Sequence, residues 1–285
     1  MHRRRHGRRG DFGAPLTLSA QAQSQLNPPN VCPCVKLRSI RILGLLLLLS
    51  LCSILRAEAP EPQAAKLPGE PHHHLQIDNE FVRAYYVEVA AHDETQLHQH
   101  DHDYIYVSLG QADVVNAVFN KPEVHIVLKD GEAHFTRGGF AHVARNLSDV
   151  PFRNITIELL RTSGEPRNLC AQISPNGAGA VCEKTTETAQ GGHGFSVAPQ
   201  METDTMRLTL MRLDPETEHA GVGLESDSLL VPLNGSEVQI QLQGEPSKIL
   251  RGGQTAWFGE NSAGSVWNPG KNPASYLELT FRHKG

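Results

Sequence analysis

Cysteine and tryptophan are scarce, with five and two in 285 residues. No Cys-x-x-Cys pair occurs, which excludes zinc-ribbon and dithiol redox sites. Long apolar runs are also missing. The only one, Ile42–Leu55, is 14 residues long, short of the ~20 that a membrane helix needs, so a multi-pass protein is excluded. Glycine (25) and proline (18) stay far below collagen-like or low-complexity levels. Positive charge is absent where a nucleic acid would need it. Residues 1–59 carry nine Lys/Arg against Asp11 and Glu58, which leaves 17 basic and 29 acidic side chains for the rest. An acidic body offers no footprint for a phosphate backbone, so no nucleic-acid partner is expected.

What is present begins with a leader over residues 1–59. Lys36, Arg38 and Arg41 precede the apolar run, and the small-residue stretch Ala57-Glu58-Ala59 follows it. This order is that of a signal peptide. Pro60 directly after Ala59 is awkward for a peptidase, so an uncleaved signal anchor is the competing reading, and the membrane would then be touched only through the leader. The expected location is outside the cytoplasm, periplasmic or secreted.

Cysteine placement agrees with export. Outside the leader only Cys170 and Cys182 remain, both in a Gly/Asn-rich stretch, and an oxidising compartment favours a disulfide between them over free thiols. Residues 60–77, rich in proline and polar residues, read as a tether, with His72, His73 and His74 able to bind metal ions loosely but more simply read as surface groups of a flexible segment. From Asp78 onward, short β-branched and aromatic runs alternate with Gly, Asp and Asn turns. FVRAYYVEV, YIYVSLG, EVHIVL, NITIELL, MRLTLMRL, LLVPLNG, EVQIQL and YLELTF are the clearest. The fold class expected is all-β, in two tandem barrels or sandwiches.

The body repeats itself at an offset of 120–125 residues. Phe81-Val82-Arg83 lies over Thr205-Met206-Arg207, Gly110 over Gly235, Asn146 over Asn268, and Ile157-Glu158-Leu159 over Leu277-Glu278-Leu279. A repeat of this length is a duplicated domain. The expected division is a first barrel over 78–165, a linker over 166–194, and a second barrel over 195–285.

Seven of the fifteen histidines fall between His92 and His142. In LHQHDHDYIYVSLG, His98 and His100 are two apart and share one face of a strand. Downstream, Gly131, five residues, Arg137-Gly138-Gly139, two residues, His142, three residues and Asn146 make a second pattern. Together the two segments resemble the paired motifs of the cupin superfamily. The repeat makes the chain similar to a bicupin, two tandem jelly-roll barrels, over about Asp78 to Arg282.

That resemblance implies one divalent metal (iron, manganese, zinc or nickel) held by His98, His100 and His142, and a small-molecule substrate; the sequence does not name the oligomeric state and leaves a homodimer open. Two departures stand out. The motif-one Glu is absent, and strand parity puts Tyr104 on the face of His98 and His100, as a phenolate ligand, a hydrogen-bond donor or barrel filling. Arg137 replaces the motif-two proline. His102 shares the parity and is a candidate base, or a cap on the barrel mouth. His134 is expected to be exposed, and Glu158, matched by Glu278, to be structural. Laying Gly235 on Gly110 and Asn268 on Asn146 puts Gly223, Glu225 and Gly264 where the three ligands stand, so the second barrel is expected to hold no metal. The functions implied are a dioxygenase-type enzyme, an isomerase or lyase acting on a sugar or acid, or a non-catalytic binding barrel.

Overall fold

The computed structural model describes residues 63–169, the backbone of 179–180, and residues 194–282. The leader and the Cys170–Cys182 pair lie outside the described residues, as does the end of the second repeat after 282. Among the described residues no helix is long and apolar enough to cross a membrane.

The first barrel contains β1 (Ala65–Lys66), β2 (His73–Asp78), β3 (Val82–Val89), β4 (His98–His100) and β5 (Tyr104–Ser108). It continues with β6 (Ala112–Val118), β7 (Val124–Leu128), β8 (Ala133–Thr136), β9 (Phe140–Asn146) and β10 (Phe152–Leu159). Short strands β11 (Arg167–Asn168) and β12 (Gly179–Ala180) follow. The second barrel has β13 (Phe195–Glu202), β14 (Met206–Leu213), β15 (Glu218–Val222), β16 (Ser228–Pro232) and β17 (Glu237–Gln241). It closes with β18 (Lys248–Arg251), β19 (Ala256–Phe258), β20 (Gly264–Trp267) and β21 (Ala274–Phe281). All eight runs read from the sequence form strands.

Each barrel is two facing sheets. In the first, β1-β4-β9-β6-β7 faces β12-β8-β5-β10-β3-β2; in the second, β15-β20-β17-β18 faces β11-β13-β14-β21-β16-β19. Alternation decides what each face of β10 meets. Asn154 and Thr156 line the interior of the first barrel, while Ile155, Ile157 and Leu159 turn outward into apolar packing. That outward layer is shared: it also takes Met206, Leu208, Leu229 and Leu279 from the second barrel. Phe81, Trp257 and Phe281 pack ring against ring within it, at centroid distances of 5.3–5.5 Å. The second barrel therefore covers the apolar outer face of the first.

The segment read as a tether is built into the barrel. Pro68 opens a 3-10 turn, Leu67 is buried, and His73–Asp78 pairs with β3 as an edge strand. Proline suits the start of such a turn because its φ is preset and its missing N–H is not needed there. Composition alone hid the strand.

The repeated asparagines explain themselves here. Asn146 Nδ2 donates to the carbonyls of Val89, Ala90 and Val150, and its Oδ1 accepts from Ser148 N. Asn268 does the same with Leu213, Asp214, Asn272 and Gly270 N. Each ties the strand before the motif to the turn after it. Removing either leaves buried carbonyls without a donor. Asn146→Ala and Asn268→Ala should each cost about 2–4 kcal/mol in urea unfolding, and the losses should add in the double variant. A loss below about 1 kcal/mol for either would refute the clamp.

Candidate metal centre

Strands β4 and β9 run antiparallel with His98 directly opposite His142 and His100 opposite Phe140. The two-residue spacing keeps His100 on the His98 side. The three rings converge, with centroids 4.5 Å (His98–His142), 5.1 Å (His98–His100) and 5.2 Å (His100–His142) apart. All three are buried. The motif-two glycines hold the turn that aims them. Gly139 N donates to the His100 carbonyl at 2.7 Å, and Gly138 N to Asp103 Oδ1 at 3.0 Å. Gly139 has φ +86°, where a side chain would be strained.

Outer hydrogen bonds fix the tautomers. His98 Nδ1 donates to the Gln96 carbonyl at 2.8 Å, and His142 Nδ1 to Asn116 Oδ1 at 2.7 Å. A neutral imidazole that donates from Nδ1 carries its lone pair on Nε2. His142 Nε2 is buried without any partner, and so is His100 Nδ1. Burial, the neighbouring His73 and other charges bring His98 down to about 4 and hold His142 well below the ordinary histidine value. Neutral, lone-pair-bearing nitrogens with no protein partner are what a metal ion requires, so the residues fit one.

A fourth histidine joins the cluster, from the segment misread as a tether. The His73 side chain is 4% exposed, its ring 4.8 Å from His98 and 6.3 Å from His100. One ligand nitrogen each from His73, His98 and His100 can be found within 4.8 Å of one another, enough to hold a metal. Behind His73 stands Glu70, 2% exposed and fully engaged. It accepts from His73 Nδ1 (2.6 Å), His72 Nδ1 (2.8 Å), His72 N (2.8 Å) and Gln96 N (3.0 Å). Burial alone would raise its pKa, but the bonds from His73 and His72 outweigh it and bring Glu70 to about 2. The sequence signal was the run of histidines two and three residues after a glutamate.

The cluster sits in a cavity of about 430 Å³ with walls of Val87, Val114, Ile126, Leu128 and Phe152. Tyr104 lies inside, stacked on His100 at 4.0 Å, its hydroxyl bonded to Thr136. Burial pushes that hydroxyl's pKa up, which favours a hydrogen-bonding role over a phenolate. His102 does not share the strand parity read for it. It sits in the turn between β4 and β5, which belong to opposite sheets, so strand parity does not carry across, and it does not line the cavity. His134, expected to be exposed, is buried in the wall. Its Nε2 donates to Glu132 Oε1 at 2.5 Å, and its ring stacks on Tyr106 at 4.9 Å. At the rim, Arg137 bridges Asp103 and Glu165, each at 2.7 Å.

The second barrel has closed over the equivalent place. Val222 stands opposite Gly264, as His98 stands opposite His142; a bulge after Ala220 shifts the match one residue from Gly223. A Cβ on Gly264 would lie 2.3 Å from the Phe258 ring, so no imidazole fits there. The ladders also correct the pairing of the glutamates. Leu230 opposes Glu278 as Tyr106 opposes Thr156, so Glu278 matches Thr156 and not Glu158.

Glu158 is 2% exposed, with Arg83 3.9 Å away. Burial raises its pKa to about 7 against the pull of Arg83. A folded-state acid pKa above the unfolded value means that the folded protein keeps a proton the unfolded chain has released. Stability therefore falls as pH rises from about 4.5 to about 7 and is flat beyond. Glu158→Gln should flatten that slope and add up to about 3 kcal/mol at pH 8. Urea titrations at pH 5 and pH 8 measure it; an unchanged difference between the two would refute the assignment.

No protein-family model and no curated protein matches the sequence. Among solved structures, the chain is similar to AerE from Microcystis aeruginosa, with TM-score 0.50 and 12% identity over 75% of this chain and 99% of that one. It is similar to salicylate 1,2-dioxygenase from Pseudoaminobacter salicylatoxidans, with TM-score 0.52 and 14% identity over 70% and 68% of the two chains. A structure of oxalate decarboxylase gives TM-score 0.50 and 10% identity over 75% and 76%. The likeness is one of fold, and the fold is the tandem cupin barrel.

Proposed function

We propose that the chain is an exported bicupin that holds one divalent metal in its N-terminal barrel and uses it in a dioxygenase-type reaction on a small organic molecule. The observation that carries this reading is His142 Nε2, buried and without a partner while Asn116 takes the other ring nitrogen. His98, His100 and His142 would hold the ion. An iron ion there supplies Lewis acidity and the redox chemistry that dioxygen needs. Support for the class comes from the likeness to salicylate 1,2-dioxygenase, whose barrels share this fold. Export rests on the leader, with its basic residues, apolar run and small-residue stretch.

The chain's own residues supply the rest. Apolar walls at Val87, Val114 and Phe152 keep bulk water from the histidines. Tyr104, with its proton retained, offers a hydrogen bond inside the cavity. His134 commits Nε2–H to Glu132, which leaves the lone pair on Nδ1. That nitrogen can take a proton from a substrate hydroxyl or acid group, and the Glu132 carboxylate steadies the imidazolium that results.

Elemental analysis of the full chain, with dioxygen uptake measured against a panel of small hydroxy-aromatic acids and dicarboxylic acids, tests the reading. One iron per chain and uptake with at least one compound is the expected result. Manganese or zinc without uptake moves the assignment to isomerase or lyase chemistry. No bound metal leaves a binding barrel and overturns the proposal.

A further inference from the structure

We propose that His73 is a fourth ligand of this metal, so that the ion latches the segment 65–78 onto the first barrel. The inference rests on the metal reading above and adds a residue from outside the two-motif pattern. Three observations carry it.

The first is position. His73, His98 and His100 each offer a ligand nitrogen within 4.8 Å of the others, and the His142 ring lies against His98 with centroids 4.5 Å apart. The second is charge. The motif-one glutamate is missing, so His98, His100 and His142 offer a dication no negative charge, and a buried uncompensated charge is costly. Glu70 supplies the carboxylate one imidazole removed, through the 2.6 Å bond from His73 Nδ1. A carboxylate bound to the far nitrogen orients a ligating histidine and makes it more basic. With Nδ1 engaged, His73 presents its Nε2 lone pair to the cluster. Glu70 has four hydrogen bonds to residues 72, 73 and 96 and is spared for no other role.

The third is connectivity. Strand β1 runs parallel to β4, with Ala65 beside His98 and Ala65 N donating to the Leu97 carbonyl at 2.9 Å. Lys66 reaches Asp101 at 2.6 Å, and Leu67 is buried in the barrel. The segment is stitched to the same strand that carries two ligands. A ligand at its far end makes metal binding and docking of the segment a single equilibrium.

The test uses the full chain loaded with Co(II) and with Zn(II). X-ray absorption at the zinc edge of the wild type should count four imidazoles, a readout that needs no variant. His73→Ala should weaken Co(II) binding by more than about tenfold and change the visible d–d bands. Glu70→Gln should weaken it by about 10–100-fold with the band pattern kept, because the ligand set is intact. His74→Ala, an exposed neighbour, should change neither. Metal should slow tryptic cleavage after Lys66 in the wild type and not in His73→Ala. Three imidazoles in the wild type, or equal affinity and identical bands in a folded His73→Ala protein, overturns the fourth ligand while the three-histidine site stands. Equal cleavage with and without metal overturns the latch. A wild type that binds neither ion removes the metal reading itself.

Discussion

The His98→Ala/His142→Ala variant should retain no tightly bound metal after mild dialysis, whereas the wild type should keep one equivalent per chain. The two residues face each other across β4 and β9, so their loss removes one side of the cluster from each strand. The fall in affinity should exceed the about 10–100-fold that losing an outer hydrogen-bond partner causes. Circular dichroism and melting should stay close to those of the metal-bound wild type, because the apolar layers that build the fold include none of these histidines. Equal metal content in variant and wild type would remove the site, and the enzyme reading with it. A collapse of the fold in the variant would instead make the ion structural.

Gly138→Ala should be the most damaging single substitution in the motif turn. An added Cβ would lie 2.4 Å from the carbonyl carbon and oxygen of His102. Those are main-chain atoms of the turn between the His100 strand and the Tyr104 strand, and they cannot swing aside as a side chain could. Overpacking of this kind costs at least about 3 kcal/mol once backbone has to move. The neighbouring Gly139→Ala meets nothing within 4 Å and carries only the strain of φ +86°, about 1–3 kcal/mol. Urea midpoints should therefore rank wild type, Gly139→Ala, Gly138→Ala. The two glycines differing in the opposite sense would show that the turn is not fixed by this contact. Metal affinity should fall with Gly138→Ala as well, since His100 is displaced with the turn.

How much of this was legible depended on range along the chain. The strands and the shared face of His98 and His100 follow from patterns local to a strand, alternation of side chains and a two-residue spacing, whereas His142 joins them only through the resemblance of the two segments to the paired cupin motifs. His102 shows where that logic stops. Residues 101–103 leave the five-stranded sheet and enter the six-stranded one, so a parity counted from His100 has no meaning at His102, and Tyr104 reaches the cavity from the opposite wall. His134 was within reach, because β8 alternates Ala133 and Phe135 against His134 and Thr136; the glycine turn beside it suggested exposure instead. Glu278 was aligned with Glu158 on similar letters two residues out of register, a slip that keeps strand parity and so leaves the pattern looking right. His73 was hidden by distance. Its partners are Glu70, behind a proline-led turn, and His98, a strand away, and neither contact leaves a periodic trace.

The apolar layer between the barrels bears on how the duplication has lasted. Leu229 and Leu279 of one copy and Ile155 and Ile157 of the other bury one another, so neither copy can shed its twin without exposing a wall of aliphatic side chains to water. The two copies should therefore melt in a single transition. The half that carries Val222 and Gly264 where the other carries His98 and His142 thus contributes through its outside. One copy encloses the histidine cluster; the other keeps water off that copy's aliphatic wall.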